Sequence, residues 1–175
     1  MSDSTNSRNQ FERVADALDI ITEVSNEIGV QLWDTIKLKE YMMAYRLNHV
    51  LQAGQSVDAV DQDGKPWEYK SIDLNKNKKR FIFKVNALDA YNNCEGIALA
   101  SFDGMVLAHM YVPDKDKLMD ILYKKAEIRK QTQLAKGTVK ADGNDEVNIS
   151  VNELEDIPHQ HLMYYPNKIE EWMNG

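Results

Sequence analysis

A turn signal between two short β-type segments constrains the middle of this chain more than any other feature. Residues 61–64 read Asp-Gln-Asp-Gly, and Asp and Gly tolerate the dihedral angles of tight turns. Residues 57–60 and 67–74, on either side, have the composition of short strands. The sequence therefore predicts a β-hairpin over residues 57–74.

Charged side chains are predicted to converge within this hairpin. Alternate residues of a strand share a face, so Glu68 and Lys70 point the same way and opposite to the side chain of Tyr69. Folding the turn back places Asp58 near that pair. Mg²⁺ prefers oxygen ligands, and Asp58, Glu68 and the backbone carbonyl of Tyr69 can supply them. The pattern predicts a magnesium site on the hairpin.

This set of residues suits the hydrolysis of a phosphodiester. Bound Mg²⁺ lowers the pKa of a bound water and neutralises charge on a phosphate oxygen. Lys70 would orient that water and stabilise the charge that builds on the phosphorane. Because a Glu-x-Lys pair on a strand is also common on solvated faces, a purely structural hairpin is the alternative. An EF-hand loop is excluded, since Gly64 at its sixth position would put Ala59 first and Lys70 twelfth.

The same residues resemble a known family. Asp58, nine further residues and then Glu68-x-Lys70 are similar to the active-site hairpin of the PD-(D/E)xK nuclease superfamily, and specifically of its PvuII-like type II restriction endonucleases. The resemblance implies Mg²⁺-dependent cleavage of double-stranded DNA by a homodimer. It implies catalytic roles for Asp58, Glu68 and Lys70, with Tyr91 beside them, and a minor-groove contact at Asp34.

The resemblance also implies an α/β (α+β) fold of the restriction-endonuclease-like type. Such a fold has a mixed central sheet flanked by helices, here with an N-terminal helical dimerisation region. Two departures concern the motif and specificity: Val57 stands where the superfamily has Pro, and the histidines that read the recognition site in the PvuII-like enzymes have no counterpart directly after Leu74, where this chain has Lys and aromatic residues. A structure-specific or repair nuclease of the same superfamily, or a non-catalytic DNA-binding module, are the alternative functions.

Charge is distributed in a way that suits a polyanionic partner. The net charge is −7, yet seven Lys or Arg and only two acidic residues lie between residues 65 and 84. Clustered positive charge is the electrostatic footprint of nucleic-acid binding, although a solvated Lys-rich loop has the same composition. The predicted phosphate contacts are Lys76, Lys78, Lys79, Arg80 and Lys84. The predicted base contacts are Asn75, Asn77 and Asn86, since Asn pairs bidentately with adenine.

The 175 residues predict a single nuclease domain with four parts. These are a disordered tail (1–9), a helical region with a possible dimer contact (10–53), a catalytic core (54–136) and an acidic C-terminal segment (137–175). Helices are predicted over residues 10–28 and from about residue 35 to 51, with Asp34 or Thr35 as the cap of the second and Gly54 as its stop.

Further strands are predicted over residues 81–85, 97–102, 105–112 and 147–151, and a helix after Asp114. Asp103-Gly104 predicts a hairpin turn. His109 is predicted to be a core or edge residue, and His159 and His161 are not predicted to bind metal. A single cysteine, Cys94, favours the reducing cytoplasm, and no stretch has the length or composition of a membrane span or signal peptide.

Overall fold

A mixed six-stranded β-sheet flanked by helices forms the centre of the structure, a computed structural model that describes residues 4–32, 34–52, 57–75, 79–138 and 145–163. The strands are β1 (Val50–Leu51), β2 (Ala59–Val60), β3 (Pro66–Asp73), β4 (Arg80–Lys84), β5 (Gly96–Asp103), β6 (Val106–Pro113), β7 (Glu146–Ser150) and β8 (His159–Met163). The helices are α1 (Ser4–Ile28), α2 (Thr35–Leu47), α3 (Leu88–Asn92), α4 (Lys115–Lys136) and α5 (Val151–Glu155), with a 3₁₀ turn at Val85–Ala87.

The order of strands in the main sheet is β1-β2-β3-β5-β6-β8. β3 and β5 are parallel, and the other neighbours are antiparallel. β5 is buried at every position from residue 96 to residue 102, as expected of a central strand covered on both faces. Gly104 takes a positive φ of 60° in the turn between β5 and β6, which confirms the predicted hairpin there.

The predicted hairpin over residues 57–74 is also present. β2 and β3 pair antiparallel, with Ala59 opposite Trp67. The Asp61 carboxylate accepts hydrogen bonds from the backbone N–H groups of Asp63 and Lys65, both at 2.9 Å, and Gly64 takes a φ of 78°. The Asp and Gly of the turn signal therefore act as turn residues do, through side-chain bonding to the backbone and a left-handed conformation.

The two faces of the main sheet carry separate cores. One face packs against α3, α4 and the small β4–β7 sheet, and its sheet residues are Ile72, Ile97, Leu99 and Tyr111. The other face packs against α2, and its sheet residues are Tyr69, Ala98, Ala100, Phe102 and Met110. Alternation along each strand thus separates the side chain of Tyr69 from those of its neighbours Glu68 and Lys70.

Two predicted helix limits were wrong. Residues 4–9 belong to α1 rather than to a disordered tail, because extending an existing helix adds hydrogen bonds without a new nucleation cost. α2 ends at Leu47, where Asn48 adopts the left-handed conformation with φ 58°, and Val50–Leu51 then joins the sheet as β1. Gly54, the predicted stop, lies outside the described residues.

The strand predicted over residues 81–85 exists as β4, but it belongs to a second sheet in which it pairs antiparallel with β7. Phe81 and Phe83 are fully buried on one of its faces.

The sequence analysis predicted neither the short helix α5 nor the strand β8. α5 begins with a capping box between Ser150 and Glu153, a recognisable sequence signal.

Within the described residues, no helix combines the length and the apolar character that a membrane crossing requires.

Candidate active site

The structure brings together the three charged residues of the predicted site. Asp58 Oδ2 accepts a hydrogen bond from the backbone N–H of Tyr69 at 2.7 Å, so this carboxylate is held against β3. Lys70 Nζ donates a hydrogen bond to Glu68 Oε1, one strand period away on the same face. The hairpin therefore positions two carboxylates and an ammonium through local backbone geometry.

Burial makes this cluster electrostatically unusual. Burial raises the pKa of Glu68 above its ordinary value, and the nearby charges of Asp58 and Glu40 add to that rise while Lys70 opposes it. Burial is the largest effect on Lys70 and lowers its pKa, but the charge and the hydrogen bond of Glu68, together with the charges of Tyr91 and Asp58, outweigh it and the net direction is upward. Beyond the larger effect of burial, the carboxylate of Asp58 acts on both groups and that of Glu40 acts on Glu68, and these charges give the cluster a region of negative potential. Such a region attracts a cation.

Glu40 of α2 was missed by sequence analysis. Burial raises the pKa of its carboxyl, and the charge of Asp58 raises it further, while Lys37, its ion-pair partner, opposes the rise. Met43 and Ala44, which lie three and four positions later, are both buried. A carboxylate on the core-facing side of a predicted helix was the available signal, because residues at that spacing share a helix face.

The Tyr69 backbone carbonyl faces the edge of β3 on which Asp58 lies, because the N–H and C=O of one strand residue point to the same neighbouring strand. Its phenol lies on the opposite sheet face and is paired with His49 Nδ1 at 2.8 Å. Burial raises the pKa of the Tyr69 hydroxyl. The carbonyl is therefore placed as a third oxygen near the carboxylates, and the phenol is structural.

Tyr91 of α3 forms one wall of the site. Its ring centroid lies 4.8 Å from Lys70 Nζ, which is the geometry of a cation–π contact. Burial, together with the charges of Glu68 and Asp58, raises the pKa of the Cys94 thiol to about 11.

A cavity of about 180 Å³ opens beside Tyr91. It is lined by Val57, Pro66, Glu68, Ala90, Tyr91, Asn93 and Cys94. The Glu68 carboxylate thus faces a space large enough for several waters or a phosphate group.

The predicted DNA contacts are only partly described. Lys79, Arg80 and Lys84 are exposed, and the last two lie on the outer face of β4. Lys76, Asn77 and Lys78 lie outside the described residues. Asn75 is exposed in the turn after β3, and its Nδ2 donates to Asp103 Oδ1 at 2.6 Å.

Asp34 serves as the N-cap of α2, where its Oδ1 accepts from the N–H of Ile36 at 2.8 Å. This bond explains why the helix begins at residue 35. The carboxylate is exposed, so its predicted contact with the minor groove stays a prediction.

The donor set fits Mg²⁺ better than a metal that needs many protein ligands. No group of three or more His, Cys, Asp or Glu side chains is arranged to hold a metal ion in the part of the chain that the structure describes. Mg²⁺ typically keeps several waters and uses one or two carboxylates, and Asp58 and Glu68 provide those. Comparison with protein-family models and with curated proteins found no match to this chain.

Proposed function

We propose that this protein is a Mg²⁺-dependent endonuclease that hydrolyses phosphodiester bonds of double-stranded DNA, in the manner of a type II restriction enzyme. The observation that carries this proposal is the convergence of Asp58, Glu68 and Lys70 beside the cavity at Tyr91. The proposal includes a restriction-endonuclease-like arrangement of the mixed sheet and its helices. This arrangement is supported by the placement of the motif, with Asp58 immediately before β2 and with Glu68 and Lys70 on β3.

Asp58, Glu68 and the carbonyl of Tyr69 would hold the metal. When bound, Mg²⁺ supplies a more acidic water and neutralises charge on a phosphate oxygen. A divalent cation would be favoured here, because its charge would offset the burial of the Glu68 carboxylate and the repulsion from Asp58 and Glu40, which together raise the pKa of Glu68.

Lys70 acts on the reacting phosphate and on water rather than on the metal. Its ammonium stays charged because Glu68 raises its pKa. The ring of Tyr91 packs 4.8 Å away and limits the positions that the ammonium can take. A fixed positive charge aimed at a developing phosphorane is the arrangement that lowers the barrier, since no reorganisation is needed during reaction.

The DNA backbone would be held by the exposed basic side chains Lys79, Arg80 and Lys84 next to the catalytic strand. Phosphate contacts of this kind supply affinity without sequence information.

Cleavage of both strands requires two sites, and a two-fold homodimer supplies them. α1 supports this part of the proposal. Its apolar residues Leu18 and Ile28 expose 43% and 37% of their surface, and burial of such apolar surface against a partner would favour association.

The test is cleavage of supercoiled plasmid and of a linear phage genome by tag-free protein, with Mg²⁺ and with a chelator instead. Discrete fragments from plain duplex in Mg²⁺ are expected. Lys70→Ala should lose cleavage but retain Mg²⁺ affinity, whereas the matched Lys65→Ala, an exposed turn lysine paired with Glu95, should cut normally. Cleavage of only branched or damaged DNA would favour a repair nuclease, and DNA binding without any cleavage would leave a binding module.

A further inference from the structure

Three of the four histidines of the chain meet on one face of the β6–β8 ribbon, away from the proposed active site. His109 lies on β6, and His159 and His161 lie on β8. β6 and β8 pair antiparallel with Tyr111 opposite His161 and Pro113 opposite His159. Residues directly opposite or diagonal across such a pair share a face. The pairing of β6 with β8 therefore brings His109 and His161 together, although 52 positions separate them in the sequence.

The distance between the nearest ring nitrogens of His109 and His161 matches that between two ligands of one metal ion. His109 Nδ1 and His161 Nε2 are 3.3 Å apart. Two Zn–N bonds of about 2.0–2.1 Å at a tetrahedral angle hold their nitrogens about 3.3–3.4 Å apart. The ring of His161 is stacked on Tyr111 at a centroid separation of 4.4 Å and an interplanar angle of 9°, which restricts its orientation. The pair is therefore spaced and held as two ligands of one metal ion are.

We propose that His109 and His161 form a binding site for a first-row transition-metal ion of the Zn²⁺, Ni²⁺ or Cu²⁺ type, with water in the remaining coordination positions. Imidazole is the ligand that these ions share, and hard Mg²⁺ does not compete for it. The site would link β6 to the edge strand β8.

His159, the third histidine on this face, is held apart from the pair by its own hydrogen bond. Its Nδ1 lies 2.6 Å from the carbonyl of Ile157, which can only accept, so Nδ1 carries the proton. Its ring centroid lies 6.2 Å from that of His161, farther than the 5.4 Å between His109 and His161. The three imidazoles do not converge, and turning His159 toward the pair would break its bond to Ile157. The proposed site therefore consists of His109 and His161.

This site is separate from the carboxylate cluster. Lys70, Leu99, Tyr111 and His161 are successive partners across four strands. Three strand spacings separate the backbone of Lys70 from that of His161, or about 14 Å. The proposed histidine site can therefore be tested independently of the nuclease proposal.

The experiment is calorimetric titration of tag-free protein with Ni²⁺ in excess Mg²⁺, which competes with Ni²⁺ for carboxylate oxygens but not for imidazole. One Ni²⁺ per chain is expected. His109→Gln and His161→Gln should each weaken binding by at least about tenfold, since even the loss of an outer-shell partner costs roughly 10–100-fold. Gln160→Ala, an exposed neighbour on β8, should bind normally.

Two further readouts separate binding from folding. Ni²⁺ should raise the Tm of the wild type and of Gln160→Ala but not of the two histidine variants, whose circular dichroism spectra should match the wild type. Electron paramagnetic resonance of bound Cu²⁺ should show at least two imidazole nitrogens in the wild type. Equal Ni²⁺ affinity in the wild type and both histidine variants, or no binding in excess Mg²⁺, would overturn the proposal and leave the 3.3 Å contact as a hydrogen bond.

Discussion

The carboxylate of Asp58 and the backbone N–H of Tyr69 are joined by a hydrogen bond of 2.7 Å, just beyond the last paired residues of β2 and β3. The side chain continues the ladder where the backbone of the short strand stops. One residue thus completes the hairpin and offers its second oxygen to the site. Its structural and chemical roles are separable, because a neutral amide can accept the same bond.

Asp58→Asn should retain the fold and lose Mg²⁺-dependent cleavage. The Asn carbonyl oxygen can still accept from Tyr69, but the negative charge that holds the cation is gone. We expect a loss in cleavage rate of roughly 10²–10³-fold, the scale seen when one charge-stabilising group is removed. Plasmid cleavage and thermal unfolding would be measured together. Asp63→Asn, an exposed turn residue, is the control and should cut at the wild-type rate.

Glu40→Gln should raise the Mg²⁺ concentration needed for half-maximal cleavage. Glu40 contributes negative potential at Glu68 from a different element of the fold. Its neutralisation should weaken Mg²⁺ binding by about tenfold, or about 1.4 kcal/mol. Glu27→Gln, on the exposed surface of α1, should leave the Mg²⁺ dependence unchanged. An unaltered Mg²⁺ dependence in Glu40→Gln would mean that this carboxylate serves only its ion pair with Lys37.

Replacing Arg80 and Lys84 with Ala should flatten the salt dependence of DNA binding. Each phosphate contact releases counterions, so the slope of log affinity against log salt should fall by about one per contact, or up to about two. Binding to random duplex in Ca²⁺ would be titrated with salt. The matched pair Lys124→Ala and Lys130→Ala removes two exposed charges from α4. If only the α4 pair flattens the slope, DNA lies along that helix instead.

Glu153→Gln should destabilise the protein at neutral pH and cost little in strong acid. Hydrogen bonds from Lys125 and from the Ser150 N–H lower the pKa of Glu153 to about 2 from an ordinary 4.5. A lowered folded-state pKa gives stability that is present above pH 4.5 and is lost as the pH falls toward 2. Because the carboxylate is partly exposed, we expect about 1 kcal/mol at pH 7.

Urea unfolding of the wild type and Glu153→Gln at several pH values would measure this difference. Glu155→Gln, a carboxylate of the same helix outside the capping box, is the control. A Glu153→Gln difference that stays constant from pH 7 to pH 2 would contradict the assignment to ionisation.

Gly96→Ala should destabilise the pairing of β5 with β3, the strand that carries Glu68 and Lys70. A Cβ at this position would lie 2.4 Å from two ring atoms of Trp67, the partner of Gly96 across β3 and β5. Overpacking of this kind typically costs roughly 1–3 kcal/mol. Trp67→Leu should remove the clash, so the double variant should lose less stability than the sum of the two single changes. Additive losses in thermal unfolding would show that the ring moves aside freely.

Much of the local structure could be read from residue order. The Asp61 turn, the shared face of Glu68 and Lys70, the Asp103-Gly104 hairpin and the cap at Asp34 each depend on contacts within a few positions. Such features follow from strand alternation, turn dihedrals and capping bonds. For the same reason the candidate metal ligands Asp58 and Glu68, ten residues apart across one turn, were found together.

Other relationships were decided only by the tertiary structure. β4 has the alternation of a strand, but nothing in that alternation shows that its partner is β7 rather than the hairpin beside it. Glu40 joins Asp58 because α2 packs on the sheet, and His109 meets His161 because β8 adds to the edge of β6. Periodicity in the local sequence determines which face of a strand or helix a side chain occupies. Which strand or helix it packs against depends on burial summed over the whole core, and the local sequence does not contain that information.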